Sequence, residues 1–172
     1  MKIYLACGLT HVPRELFSQY ANYIHSLANS ISGIGPNYDV KYALVNSDPQ
    51  LADKPFSERA SLCYAWDRRM VEDADLLVAD ASFASTGLGI EMQIADTHGI
   101  PIILLIGDYE VNRADPIKYC NPDATQHELQ IGEGIVSLMA LGIPSVRRRI
   151  GYRSQEAAIA ECVGAVRLFA HD

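Results

Sequence analysis

A parallel α/β sheet flanked by helices is the architecture the sequence predicts, and three observations predict it. Compact apolar runs at residues 2–7 (KIYLAC), 76–79 (LLVA) and 102–106 (IILLI) suit strands buried on both faces. Stretches with apolar residues at helical spacing separate them, the alternation of a βαβ chain. The chain has 172 residues, 49% hydrophobic and 20% charged, which is enough for one domain over 1–172 with a sizeable core and far from a disordered composition.

In chain order, the first strand ends at Gly8 and LTHVPR follows as a loop. Pro13 suits the first turn of a helix whose positions Leu16, Phe17, Tyr20, Tyr23, Ile24 and Leu27 recur at helical spacing, and Gly33 and Gly35 stop it. Residues 38–45 alternate as a second strand, and 46–55 form a polar loop at the ligand-binding edge. Ser57 serves as N-cap of a second helix running to Asp73, with Trp66, Met70 and Val71 on its apolar side and Asp67 looking toward the next strand's end.

The third strand leads into a small-residue turn over 81–89, and a helix opens near Ile90 and closes at Gly99 and Pro101. After the fourth strand, residues 108–126 carry the turn residues of a long loop. A helix over 131–141, a short edge strand over 146–152 and an amphipathic helix over 154–169 capped by Ser154 complete the chain.

The bulk properties exclude several function classes. A net charge of -7 and a pI near 5.1 oppose non-specific nucleic-acid binding, which needs a basic footprint. The run IYLACGL is too brief for a signal-peptide core and IPIILLIG too short for a membrane span, so a cytoplasmic protein with no membrane partner is expected. Cys7, Cys63, Cys120 and Cys162 include no Cys-x-x-Cys pair. His11, His25, His98 and His171 lack ligand spacing, and His127-Glu128 has Ile131 where a zincin helix needs its second His, so no metal is expected. No Gly-x-Ser-x-Gly elbow marks a serine hydrolase. Arg147, Arg148 and Arg149 read as a solvated edge or subunit contact.

The candidate chemistry gathers around Asp75–Glu91. Ligands of open α/β sheets bind beyond the carboxyl ends of the strands, and Glu91 follows such an end. Asp67 lies on the helix before the same strand, so the two carboxylates can face one cleft, an arrangement suited to displacement at an acetal-like carbon. The bland alternative pairs Asp67 with Arg68 or another surface Arg and leaves Glu91 to favour a helix N-terminus. The turn SFASTGLG, with Ser82, Ser85, Thr86, Gly87 and Gly89, offers amides and hydroxyls for a phosphate or a sugar hydroxyl. It lacks the Lys of a P-loop and the third Gly of a dinucleotide fingerprint, and a tight turn alone would also need small residues. Tyr4, on the first strand, either packs or reaches a carboxylate.

The run WDRRMVEDADLLVADASFASTGLGIEMQIADTHGIPIILL, with IYLACG at the start, resembles the signature of the nucleoside 2-deoxyribosyltransferase superfamily. That superfamily includes 2'-deoxynucleoside 5'-monophosphate N-glycosidases and cytidine monophosphate hydrolases. The likeness covers the first strand and the central third, and its ordered elements fall on Asp67, residues 74–80, Ser85, Gly87-Leu88-Gly89 and Glu91. It implies a flavodoxin-like or Rossmann-like sheet and a double displacement without a cofactor. In that scheme Glu91 attacks C1', Asp67 assists departure of the base, and Tyr4 orients Glu91.

Ser85, where the transferases carry an acidic or amide residue, tilts the expectation toward a nucleoside 5'-monophosphate hydrolase. The hydrolases' basic glycine-rich loop is replaced after Gly8 by Leu9–Arg14, which leaves His11 or Arg14 to serve the phosphate. The alternatives are a transferase exchanging bases between deoxynucleosides and a non-catalytic nucleotide-sensing domain. The family also implies a homodimer or higher homo-oligomer in which an Asn of a neighbouring subunit completes the pocket, with Asn121 the candidate.

Overall fold

The structure, a computed structural model, describes residues 1–170 apart from the Glu133 side chain; His171 lies outside them. Five strands form a parallel sheet in the order β2 (Asp39–Tyr42), β1 (Lys2–Cys7), β3 (Leu76–Asp80), β4 (Ile102–Gly107), β7 (Val146–Tyr152). Numbered by position in the chain this is order 2-1-3-4-5, the flavodoxin-like arrangement, and the parallel α/β expectation is borne out. The central strands β3 and β4 are buried at every residue, as their unbroken apolar runs require.

Alternate residues of each strand feed two cores. Ile3, Leu5, Leu76, Val78, Ile103 and Leu105 pack against α1 (Arg14–Ser32) and α7 (Gln155–Phe169). Tyr4, Ala6, Leu77, Ala79, Ile102 and Leu104 pack against α4 (Phe56–Glu72) and α5 (Thr86–Thr97). α1 buries Tyr20, Tyr23, Ile24, Leu27, Ala28 and Ile31, the stripe that its spacing predicts plus one further turn. α7 begins at the expected cap, where Ser154 Oγ accepts from the Ala157 N–H.

The differences from the sequence reading have local causes. β2 stops at Tyr42, and two short helical turns, α2 (Ala43–Asn46) and α3 (Asp48–Leu51), replace the end of the expected strand and most of the loop. Asn46 Oδ1 accepts from the Tyr42 N–H and Pro49 sits in the first turn of α3, both of which favour turns over extension. Pro55, not Ser57, occupies the N-cap of α4, without a side-chain cap. α5 opens at Thr86 rather than near Ile90, because Ser85 Oγ accepts from the Leu88 N–H and caps it; Gly87 and Gly89 therefore lie inside its first turn.

The long connection holds an antiparallel hairpin, β5 (Lys118–Cys120) with β6 (Gln126–Glu128), which places His127 and Glu128 on a strand. The helix expected over 131–141 reduces to a 3-10 turn at Gly132–Gly134 and α6 (Leu138–Leu141), because Gly132 and Gly134 (φ 79°) interrupt the run. On the edge strand, Arg148 pairs with Glu161 and Arg149 donates to the Leu141 carbonyl. Among the described residues no helix is long and apolar enough to cross a membrane.

At the end of β3, Asp80 is fully buried and accepts four hydrogen bonds. Its donors are the hydroxyls of Tyr20 (2.8 Å), Tyr23 (3.2 Å) and Tyr152 (2.8 Å) and the Ser82 N–H (3.1 Å). Ser82 Oγ in turn accepts from the Gly107 N–H at 2.7 Å, and Asn112 Nδ2 donates to the carbonyls of Ser82 and Gly107. One carboxylate thus ties α1, β3, β4 and β7 together. Asp80→Ala is expected to lower the unfolding free energy in urea by about 3 kcal/mol or more, since four buried donors lose their acceptor. Asp80→Asn should cost less, because tyrosine hydroxyls can turn to accept.

Candidate active site

The chain reverses direction across the sheet between β1 and β3, the switch point at which open α/β sheets hold ligands. Gly8 follows β1 there and is buried; a Cβ on it would stand 2.6 Å from the Phe83 carbonyl oxygen and 2.9 Å from Ser85 Cβ. Only glycine lets the end of β1 press against the turn that carries Ser85. Tyr4 projects from β1 into the α4/α5 face and donates its hydroxyl to Glu91 Oε1 at 2.8 Å. A strand and the second turn of a helix, distant in sequence, thereby meet at one carboxylate.

Asp67, from α4, completes the group. Its Oδ2 accepts from Cys63 Sγ at 3.4 Å, while its enclosed Oδ1 has no hydrogen-bond partner among the described residues. The surface pairing with Arg68 is not found; Arg68 pairs with Glu72 at 2.7 Å. The Glu91 carboxyl is pushed up to about 8, chiefly by burial; the hydrogen bond from Tyr4 opposes the rise and the Asp67 charge adds to it. Burial and the two neighbouring carboxylates push the Tyr4 phenol upward, so it remains a donor.

Ser85 and the start of α5 form the adjoining wall. No acidic residue lies in the first turn of α5, Gly89 leaves open space beside it and Gly87 abuts Ser85 Oγ, so the helix N-terminus faces out with small residues and amides. His11 and Arg14 are exposed at the start of α1, and among the described residues neither is joined to Tyr4 or Glu91 by a hydrogen bond or ion pair. Asn121 sits in the β5–β6 hairpin turn, its N–H on the Thr125 carbonyl at 2.9 Å, and nothing in this chain joins it to Glu91.

A cavity of about 550 Å³ is lined by Ser85, Leu88, Gly89, Met92 and the chain over 135–144 and does not reach Glu91. The titratable cluster marks the chemistry better than size does. Among the described residues no group of His, Cys, Asp and Glu could hold a metal ion. The reading of the sequence missed Asp80 and Cys63: Asp80 stands inside the quoted motif, and Cys63 lies one helical turn before Asp67.

No family model matches the chain. A protein of Syntrophotalea carbinolica named 2'-deoxynucleoside 5'-phosphate N-hydrolase 1 is 38% identical over 65 residues, 36% of this chain and 44% of that relative. The chain thus matches less than half the length of that curated relative. The solved Clostridium botulinum CMP N-glycosidase BcmB superposes with a TM-score of 0.54 at 17% identity, covering 93% of this chain and 96% of that one. A 2-deoxyribosyltransferase from Bacillus psychrosaccharolyticus gives 0.55 at 15% identity, with 92% and 90% covered. The chain has the nucleoside 2-deoxyribosyltransferase-like fold. The resemblance read from Asp67, the segment 74–80 and the Gly87–Glu91 turn is borne out at that level. A conserved protein from Enterococcus faecalis shares the fold as well, at 22% identity and a TM-score of 0.56, with 95% of this chain and 96% of that chain covered.

The electrostatics make a directional prediction. Carboxyl NMR of Glu91 should show a midpoint near 8; Tyr4→Phe should raise it by removing a donor to the carboxylate, and Asp67→Asn should lower it by removing a like charge. A carboxyl raised from about 4.5 when unfolded to about 8 when folded favours the fold fully below the lower value, and the advantage fades between the two as pH rises. Over that window the wild type should lose on the order of 2 kcal/mol more stability than Glu91→Gln, the partly exposed setting of Glu91 reducing the full amount.

Proposed function

We propose that the protein cleaves the N-glycosidic bond of a nucleoside 5'-monophosphate by double displacement, with Glu91 as nucleophile. The observation that carries this reading is the 2.8 Å hydrogen bond from Tyr4 to Glu91 Oε1. It occupies one carboxylate oxygen and leaves Oε2 to attack, on a carboxylate whose raised pKa reflects an environment that gives it little solvation. The resemblance to named N-hydrolases, N-glycosidases and deoxyribosyltransferases agrees with it.

In the first step Glu91, having lost its proton, bonds to C1' as the C1'–N bond breaks. The bond's electron pair leaves with the base, which takes up the proton that Glu91 gives up, passed on by Asp67. In the second step water attacks C1', the glycosyl ester breaks to restore the Glu91 carboxylate, and Asp67 takes the water's proton. Tyr4 is a positioning residue. Ser85 accepts from Leu88 N through Oγ, so its hydroxyl hydrogen is free to donate to the substrate phosphate beside the α5 N-terminus, with His11 and Arg14 as further phosphate contacts. Gly8, Gly87 and Gly89 keep that wall free of side chains. Asn121 from the hairpin of a second copy would complete the pocket of a homodimer.

A panel of nucleosides and their 5'-monophosphates, with and without a free acceptor base, tests the reaction. Base release from monophosphates is the expected result, with kcat/KM falling above about pH 8 as the proton that Glu91 and Asp67 pass to the base is lost, and Glu91→Ala should lose at least about a thousandfold in kcat. Base exchange between deoxynucleosides would establish the transferase instead, and absence of any turnover would leave a nucleotide-sensing domain. Ser85→Asp should shift preference from monophosphates to free nucleosides by placing a charge against the phosphate; an unchanged preference would contradict the assigned role of Ser85.

A further inference from the structure

We propose that Cys63 is a positioning residue for Asp67, its thiol holding one carboxylate oxygen so that the other faces the leaving base; the inference rests on the reaction proposed above. Cys63 and Asp67 lie one turn apart on α4, the spacing at which helix side chains meet. Cys63 Sγ donates to Asp67 Oδ2 at 3.4 Å, and Asp67 Oδ1 is enclosed yet without a partner among the described residues. An enclosed, unpaired carboxylate oxygen beside Glu91 has an unmet demand for a donor, which a base nitrogen can supply. With Oδ2 pinned from within its own helix, the carboxyl plane is fixed and Oδ1 is the oxygen left for a base nitrogen.

The chemistry of the donor suits the role. Asp67 has to give up a proton to the base and take one back from water, so a Lys or Arg in place of Cys63 would lock it in the charged form. A thiol is a weak donor that permits both states. Burial and the charges of Asp67, Glu91 and Asp48 push the Cys63 thiol up to about 11, so it stays protonated while the enzyme works. The titratable groups that bear on the pair are Tyr4 from β1, Glu91 from α5 and Asp48 from α3.

Two measurements decide the point. Cys63→Ala should lower kcat about three- to tenfold with KM changed less than twofold, and Cys63→Ser, which keeps a donor, should recover most of the loss. A residue that only fills space would move thermal stability without this pattern. Independently of turnover, the infrared S–H stretch that disappears in Cys63→Ala should lie below that of a free thiol and move up in Asp67→Ala. A kcat within twofold of wild type in Cys63→Ala, equal impairment by Ser and Ala, or an S–H band unmoved in Asp67→Ala overturns the inference. Absent turnover in wild type overturns the reaction instead and leaves the band to decide this one.

Discussion

A carboxylate with no access to water has to be surrounded by donors, and at Asp80 that requirement shapes the whole carboxyl end of the sheet. Two tyrosines from α1, one from β7 and an amide from the turn after β3 converge on it, and Ser82 and Asn112 pass the connection to β4. The cost of burying the charge is offset only if these elements hold their places together. The turn held in this way delivers Ser85 to the start of α5 and Glu91 to the opposite face of the sheet. Gly8 adds the steric half of the constraint by allowing β1 to abut the same turn.

Asp80 and Glu91 show how environment divides the work between two acids. Burial pushes the Asp80 carboxyl upward, but hydrogen bonds from Ser82, Tyr152 and Tyr20 oppose the rise and hold the group in one place. Burial also pushes Glu91 upward, with one hydrogen bond, from Tyr4, to oppose the rise and the charge of a second acid, Asp67, to add to it. Under-satisfied acids at a switch point are where reactivity is expected, and fully satisfied ones are where rigidity is. The 550 Å³ cavity lies on another face of α5, bordered by Ser85 but away from Glu91. Volume and reactive groups therefore part company in this chain.

Much of the fold was legible because buried parallel strands are unbroken apolar runs and α1 carries its stripe in plain helical spacing. Asp67, Glu91 and Tyr4 were legible as a set only through the ordered motif, since spacing alone left surface pairing and simple packing open. The start of α5 was misplaced because Gly87 and Gly89 read as turn residues, whereas the Ser85 cap carries the helix through both. The β5–β6 hairpin was hidden among exposed polar residues with no buried face to impose a period of two. Asp80 was quoted but not recognised, because its partners Tyr20, Tyr23 and Tyr152 look like ordinary core aromatics until the sheet order brings them together.

The central claim is that Glu91, held by Tyr4, forms a bond to the sugar carbon. The most direct measurement is mass spectrometry of the protein after incubation with 2'-fluorinated nucleoside 5'-monophosphates, since fluorine beside C1' destabilises the oxocarbenium-like transition state and slows hydrolysis of the ester. The account predicts a mass increase of one fluorosugar phosphate, mapped to the peptide containing Glu91 and absent from Glu91→Gln. Base release with no adduct, or an adduct on any other residue, would contradict it.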